Sequence, residues 1–279
     1  MTQLRIALRD GESLAIRCAG SGRPALLAHG FTGSAGAWGE GLLAALAVEL
    51  RVIAVDLLGH GASSRPRDSC RYALPEQVAD LCEVLDACGT REALWLGYSM
   101  GGRIALTAAH QCPERVCGLV LEGASPGLAQ PAERAARVAS DAALAERLER
   151  LGIEGFVDGW MAQPHFATQE RIGPVRLAAE RERRLRNDPR ALAACLRGAG
   201  TGAQASLWER LGEIDIPTLL LVGDDDGKFR ELAGAMARAL PRAVRQGIPG
   251  AGHATHLEHP EAFTRAVCRF ARRVFQEER

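Results

Sequence analysis

The sequence predicts an α/β fold, a mostly parallel sheet of eight strands flanked by helices and carrying one long helical insertion. Three observations lead there. Short apolar runs alternate with helix-like stretches from Ala25 to Ala109 and again from Thr218 onward, the rhythm of strand–helix–strand units. Between Ser125 and about Gly212 the strand signal disappears and Ala, Arg, Glu and Leu dominate. Finally, the apolar run Ala93-Leu94-Trp95-Leu96 enters Gly97-Tyr98-Ser99-Met100-Gly101-Gly102 and leaves through the helix-like Ile104 to Ala109. A G-x-S-x-G in that setting is a sharp strand-to-helix turn that presents its serine at the edge of a sheet.

Taken in order, Leu4-Arg-Ile-Ala-Leu and Ser13-Leu-Ala-Ile-Arg-Cys flank Asp10-Gly11, a hairpin signal that opens the chain with two antiparallel strands. Ala25 to Ala28 and Val52 to Val55 read as short buried strands separated by a helix from about Trp38 to Leu50. A helix from about Pro75 to Ala87 precedes the strand at Ala93, and Val116 to Leu121 supplies the next. Thr218 to Val222 and Ala243 to Ile248 complete eight strands, with helices at about Arg230 to Ala239 and Pro260 to Glu277. Because the strand at Thr218 resumes the earlier pattern, the helical stretch reads as an insertion rather than a separate domain. The expected division is a core of residues 1–124 and 213–279 with a helical cap of residues 125–212.

The bulk properties narrow the function classes. A chain of 279 residues that is 47% hydrophobic has enough apolar material for a large single core. Its 34 basic and 34 acidic residues cancel, so no global field favours nucleic acid or an anionic membrane. Met1 to Gly20 is interrupted by Arg5, Arg9, Asp10, Glu12 and Arg17, which fits neither a signal peptide nor a lipidation motif, and no apolar run approaches the roughly 20 residues of a membrane span. The expected location is the cytoplasm. Eight scattered cysteines lack C-x-x-C or Cys/His spacing, and read as reduced, mostly buried small hydrophobes rather than disulfides or zinc ligands. No metal or organic cofactor is expected, and oligomeric state is not legible.

A serine is a poor nucleophile or base until a neighbour takes its proton, so a catalytic Ser99 predicts a histidine and a carboxylate further on. Gly223-Asp224-Asp225-Asp226-Gly227 follows one strand and Gly250-Ala251-Gly252-His253 follows the last, which sets both on the same sheet edge as Ser99. Asp226, three residues beyond Gly223, is the expected acid; Asp224 and Asp225 are its alternatives. His253 is the expected base, while His256 and His259, at the start of the next helix, are expected to be exposed or capping. The Met100 N–H is delivered by the turn, and a second donor to developing negative charge is expected from His29-Gly30-Phe31-Thr32-Gly33, at Phe31. His29 is a candidate for orienting that loop or for touching substrate.

The His-Gly-Phe loop, Asp56-Leu57-Leu58-Gly59-His60-Gly61-Ala62-Ser63, the serine turn, the acid loop and Gly252-His253 together resemble the α/β-hydrolase superfamily over nearly the whole chain. Gly97-Tyr98-Ser99-Met100-Gly101-Gly102-Arg103, Ser125-Pro126-Gly127-Leu128, Leu196 to Trp208, Gly223 to Phe229 and Trp160-Met-Ala-Gln-Pro-His-Phe are similar to one branch, the 2-succinyl-6-hydroxy-2,4-cyclohexadiene-1-carboxylate synthases of menaquinone biosynthesis. Where that branch usually has Gln-Pro-Ser, this chain has Gln204-Ala205-Ser206. The resemblance implies a cofactor-independent lyase whose small-molecule substrate carries several carboxylates. An arginine just past the turn, Arg103, suits such a substrate because a guanidinium grips carboxylates through two parallel hydrogen bonds. Arg137 and then Arg134 on the cap are further candidates, and Tyr98 and Trp160 are candidate pocket walls. Taken singly, the cap arginines, including Arg181, Arg183, Arg184 and Arg186, read as solvated helix faces paired with Glu133, Glu180 and Glu182. The alternatives of other classes are a carboxylesterase or carbon–carbon bond hydrolase, and a ligand-binding protein that retains the fold without chemistry.

Overall fold

The computed structural model describes residues 1–277. Its eight strands are β1 (Thr2–Ala7), β2 (Ser13–Ala19), β3 (Arg23–Ala28), β4 (Leu50–Val55), β5 (Ala93–Tyr98), β6 (Val116–Glu122), β7 (Thr218–Gly223) and β8 (Ala243–Ile248), in one sheet of order β1-β2-β4-β3-β5-β6-β7-β8. β2 pairs antiparallel with β1 and with β4, and every pairing from β4 to β8 is parallel. Parallel strands share a carboxyl edge, so the loops after β3, β5, β6, β7 and β8 gather on one rim. Ligands of open α/β sheets bind on that rim.

Helices cover both faces. On one lie α1 (Glu40–Ala47) and α9 (Pro260–Glu277); on the other lie α2 (Leu74–Ala87), α3 (Met100–Gln111) and α7 (Gly227–Ala239). Strand periodicity decides which side chain serves which face: Ala25 and Leu27 of β3 join the first layer, whereas Leu26 and Ala28 join the second. Apolar residues of α9 at Phe263, Ala266, Val267, Phe270, Ala271 and Val274 keep helical spacing and are all buried, which is the stripe such a surface helix requires. The sequence suggests a helix from Trp38 to Leu50, but α1 is shorter: Gly39, at φ 75°, separates it from a 3-10 turn at Ala35–Trp38, and β4 starts at Leu50.

Between β6 and β7 the chain runs through α4 (Pro131–Met161), broken at Gly152 (φ 72°), then α5 (Pro174–Leu185) and α6 (Pro189–Ala199), with no strand. These helices bury a small core of their own: Ala145, Leu148, Phe156, Val157, Leu192, Ala193 and Leu196. Phe31, from the loop after β3, packs against that cluster, so the helical layer rests on the carboxyl rim. A four-residue helix, α8 (Thr255–Glu258), sits between β8 and α9.

Two expectations need correction. All eight cysteines are free thiols, but only Cys195 and Cys268 are buried; five are half-buried and Cys70 is exposed. His256, expected to be exposed or capping, is only 5% exposed. Its Nδ1–H donates to Glu122 Oε2 at 2.7 Å, and Glu122 Oε1 accepts from Thr255 Oγ1 at 2.6 Å and from the His256 N–H at 2.9 Å. Glu122 ends β6 and is fully buried, and α8 closes over it because a buried carboxylate must find donors. His259 is exposed as expected.

Candidate active site

Ser99 caps the junction of β5 and α3 with φ 52° and ψ −107°, a left-handed backbone strained for any residue but glycine. The glycines around it answer to close approach: a Cβ on Gly97 would lie 2.3 Å from the Gly101 carbonyl oxygen, and one on Gly101 would lie 2.0 Å from that of Ala28. The Ser99 N–H donates to the Glu122 carbonyl at 2.8 Å, and the Gly101 N–H to the His29 carbonyl at 3.1 Å, which ties the turn to β6 and to the loop after β3. The hydroxyl is thereby held half-exposed at the rim.

Asp226 and His253 meet there. His253 Nδ1–H donates to Asp226 Oδ2 at 2.8 Å, and Asp226 Oδ1 accepts the Phe229 N–H at 3.2 Å at the start of α7. Burial raises the Asp226 pKa, but the hydrogen bond and charge of His253 and the Phe229 N–H outweigh it and hold the carboxyl below its usual range. A buried carboxylate on Nδ1 fixes the tautomer that leaves Nε2 free for proton transfer. Among the described residues the Ser99 hydroxyl has no hydrogen-bond partner, so the aspartate–histidine link is closed and the serine–histidine link is open. Of the neighbouring carboxylates, Asp225 instead pairs with Arg171.

The path of the His253 ring is tightly set. Phe229, Tyr98, His165 and Phe166 surround it with centroids 4.5, 5.3, 5.4 and 6.1 Å away. Gly123, at φ 55°, passes so close that a Cβ there would lie 2.7 Å from His253 Cε1 and 3.0 Å from Nδ1. Gly123→Ala is therefore expected to push the imidazole off Asp226. Displacements of about 1 Å cost about 10²-fold in rate, so kcat should fall by about that factor while the far-UV circular dichroism stays unchanged. An alanine variant with full activity would contradict this placement.

The two expected N–H donors are positioned by different means. Met100 opens α3, where first-turn N–H groups have no acceptor within the helix. Among the described residues the Phe31 N–H has none either, while its neighbours are occupied: Gly33 N–H donates to the Gly30 carbonyl at 3.0 Å and Thr32 N–H to His60 Nε2 at 3.3 Å. Two buried histidines hold this loop. His29 donates from Nδ1 to the Gly30 carbonyl at 2.7 Å and accepts the Leu57 N–H on Nε2 at 3.0 Å. Both ring nitrogens are committed to backbone, so His29 orients the loop and has no nitrogen left for a substrate, contrary to its expected place among the ligands. His60 likewise donates to the Leu58 carbonyl at 3.0 Å, its ring 5.0 Å from that of His29.

Burial pulls His29 down to about 4 and His60 down to about 3 from the ordinary 6.5. Folding thus excludes protons that the unfolded chain binds. The stability these neutral rings allow is present above pH 6.5 and falls as the pH drops toward those values. Each should cost about 1.5 kcal/mol between pH 6.5 and 5. Urea midpoints at pH 7.5 and 5 check it, and equal midpoints would contradict neutral burial.

The charged side chains separate into two groups. Arg103 is 9% exposed; its Nη1–H donates to Gln204 Oε1 at 3.2 Å, and no carboxylate pairs with it among the described residues. Burial pulls its pKa to about 10, so at neutral pH it remains a buried cation facing a neutral amide. Arg184, read from sequence as part of a solvated face, is half-buried, its side chain 11% exposed: it lies 3.3 Å from Glu180, and its buried Nε has no partner among the described residues. Glu180 is shared with Arg183, whose Nη2 lies 2.7 Å from Oε1, so one buried carboxylate serves two guanidinium groups. Arg134 and Arg137 are placed differently. Arg134 donates to the Leu128 and Ala129 carbonyls at 3.0 and 2.9 Å, and Arg137 Nε pairs with Asp141 at 2.7 Å with its side chain 42% exposed. Both are engaged within the helical layer, and the Arg137 charge acts on Arg103 and His165.

Phe31, Tyr98, Arg183, Arg184 and His256 line a cleft with about 20 Å³ of free space, room for about one water. It adjoins an outer groove of about 300 Å³ bounded by Trp38, Arg176 and Leu257. Trp160 approaches Phe31, ring centroids 5.2 Å apart, and its buried Nε1–H has no partner. No cluster of three or more His, Cys, Asp or Glu side chains suited to a metal occurs among the described residues.

Comparison with known proteins places this arrangement. Residues 24–260 match the alpha/beta hydrolase fold family. A putative 2-succinyl-6-hydroxy-2,4-cyclohexadiene-1-carboxylate synthase of Bacillus subtilis is 39% identical over 272 residues, 97% of this chain and 98% of the relative. The chain belongs to the 2-succinyl-6-hydroxy-2,4-cyclohexadiene-1-carboxylate synthase family of the α/β-hydrolase fold. The Serratia proteamaculans synthase is 34% identical over 243 residues, covering 87% and 90% of the two chains. Among solved structures, MenH from S. aureus superposes with a TM-score of 0.88 at 31% identity, covering 94% and 98%. An esterase from Thermogutta terrifontis, solved with malate bound, superposes at 0.87 with 28% identity, covering 98% and 99%. A synthase and an esterase thus share this frame. On the rim and the helical layer this chain carries the buried Arg103 and the half-buried Arg184.

Proposed function

We propose that this chain is a lyase that eliminates pyruvate from 2-succinyl-5-enolpyruvyl-6-hydroxy-3-cyclohexene-1-carboxylate, giving 2-succinyl-6-hydroxy-2,4-cyclohexadiene-1-carboxylate. Membership of the synthase family supports the reaction. The observation in the site that carries it is Arg103, a buried cation with no carboxylate of its own, a few residues from Ser99. The substrate has carboxylates on its ring, its succinyl arm and its enolpyruvyl arm, and an unpaired buried guanidinium is stabilised by one of them.

In this reading His253, aligned by Asp226, takes the Ser99 proton as the serine removes the acidic ring proton beside the succinyl ketone. The enolate oxygen settles between the N–H groups of Phe31 and Met100. Its electrons return through the ring, the bond to the enolpyruvyl oxygen breaks, and His253 gives its proton to the departing enolpyruvate, which tautomerises to pyruvate. Arg103 and Arg184 hold carboxylates, and Trp160 offers its free N–H. Arg137 and then Arg134 are further candidates for the same role on the helical layer. Residues 125–212 form the cap in this account. With one water's worth of free space in the cleft, the substrate enters when the cap lifts from Phe31, by way of the outer groove. The reaction calls for no metal or organic cofactor and takes place in the cytoplasm. Among the described residues no helix is long and apolar enough to cross a membrane.

The second reading is a serine esterase or carbon–carbon hydrolase, favoured by the fit to the Thermogutta terrifontis esterase. An esterase differs from the lyase in covalency, since it carries an acyl group on Ser99 and the lyase carries nothing. Intact mass measurement of enzyme quenched during turnover is expected to give the unmodified mass, and an acyl adduct on the Ser99 peptide would overturn the lyase mechanism.

A further inference from the structure

Two cysteines distant from the rim stand in contact. Cys82 lies on α2 and Cys112 caps α3, and their sulfurs are 3.8 Å apart. Both are half-buried and packed against the core under the second helical layer. Their surroundings are asymmetric. The Cys112 thiol donates to the Ala108 carbonyl at 3.3 Å, and Arg115 reaches the same turn, donating from Nη2 to the Cys82 carbonyl at 3.3 Å and to Asp86 Oδ1 at 2.6 Å. The Cys112 hydrogen bond and then the Arg115 charge hold the Cys82 thiol below its usual range, while Cys112 is pushed up. Two thiols in contact at 3.8 Å, with a guanidinium on the same turn, are the arrangement of an attacking and a resolving cysteine.

We propose that Cys82 and Cys112 form a peroxide-sensitive pair that closes to a reversible disulfide in the folded protein, stapling α2 to the far end of the helix that starts at Ser99. The Cys82 thiolate attacks a hydroperoxide oxygen, breaking the O–O bond and giving a sulfenic acid and hydroxide, or alkoxide from an organic peroxide. The Cys112 sulfur then attacks the sulfenic sulfur; its proton and the sulfenic hydroxyl leave as water. The two thiols lose two electrons and the peroxide gains them. Contact between the sulfurs makes the second step fast, which spares Cys82 from irreversible sulfinic oxidation. The pair takes no part in the elimination and leaves Ser99, Asp226 and His253 untouched. A second thiol pair, Cys18 of β2 with Cys88 at the C-terminal cap of the same helix, also interacts, and the experiment must tell the two apart.

Trypsin separates the relevant cysteines onto two peptides, residues 72–91 with Cys82 and Cys88, and residues 104–115 with Cys112. Folded protein treated with a few equivalents of hydrogen peroxide, alkylated and digested should yield these peptides joined. The cross-link should persist in Cys88→Ser, vanish on dithiothreitol treatment and be absent from Cys82→Ser. In Cys112→Ser, dimedone should label Cys82. Full alkylation of both Cys82 and Cys112 after peroxide, a cross-link that Cys88→Ser abolishes, or sulfinic acid at Cys82 without a bridge would each overturn the proposal.

Discussion

Replacing Ser99 with alanine is expected to lower kcat for pyruvate release by about 10³-fold or more, with KM changed little. The prediction follows from the placement of the hydroxyl. A positioned proton acceptor contributes about 10²- to 10⁴-fold, and Ser99 is the group of the proposed triad held at the rim by the strained turn, with its N–H fixed on β6. His253 alone cannot substitute, because its ring is boxed by Tyr98, Phe229, His165 and Phe166 and bonded to Asp226. The Phe31 and Met100 N–H groups survive the substitution, so some acceleration over buffer remains, as binding and an intact oxyanion site allow. Steady-state kinetics of Ser99→Ala check this. An alanine variant within tenfold of the native kcat would mean that another group takes the ring proton.

Arg103→Ala is expected to cost about 2 to 4 kcal/mol in kcat/KM, roughly 30- to 1,000-fold, since it removes one charged partner from a buried carboxylate contact. Its burial makes the expectation specific. An exposed arginine gives up its ion pair to water at little cost, but Arg103 is 9% exposed and its side chain hydrogen-bonds only Gln204 among the described residues. Arg103→Lys keeps the charge and loses the planar fork, and should fall between the two. Stability should move little, because an unpaired buried cation contributes nothing favourable to the free protein. The esterase reading predicts the opposite pattern, with small aryl esters cleaved by Arg103→Ala nearly as well as by the native chain. Loss of ester cleavage without loss of pyruvate release would reverse the assignment.

The sheet was legible because its strands are short apolar runs ending in glycine-rich loops, and burial on both faces demands that pattern. The same grammar located Ser99, Asp226 and His253, each just beyond a strand end where the parallel sheet forces its loops together. The Phe31 loop was legible for the same reason. Side chains whose surroundings come from elsewhere in the chain were not. Arg184 lies in Arg-Glu-Arg-Arg, which reads as a solvated helix face, and only the packing of α5 against the cleft half-buries it. His256 sits three residues past His253 but meets Glu122, 134 residues away in sequence. His29 looked equally fit for substrate and for structure until both its nitrogens were found on backbone. Arg134, on the helical layer, could be placed only once its donors were traced to the Leu128 and Ala129 carbonyls.

The most direct test of the central claim follows pyruvate. Purified protein incubated with 2-succinyl-5-enolpyruvyl-6-hydroxy-3-cyclohexene-1-carboxylate, with lactate dehydrogenase reporting the pyruvate, is expected to release one pyruvate per molecule of substrate consumed, far faster than buffer. The same protein should leave aryl esters little changed. Pyruvate release no faster than buffer, from protein that cleaves aryl esters through Ser99, would contradict the account.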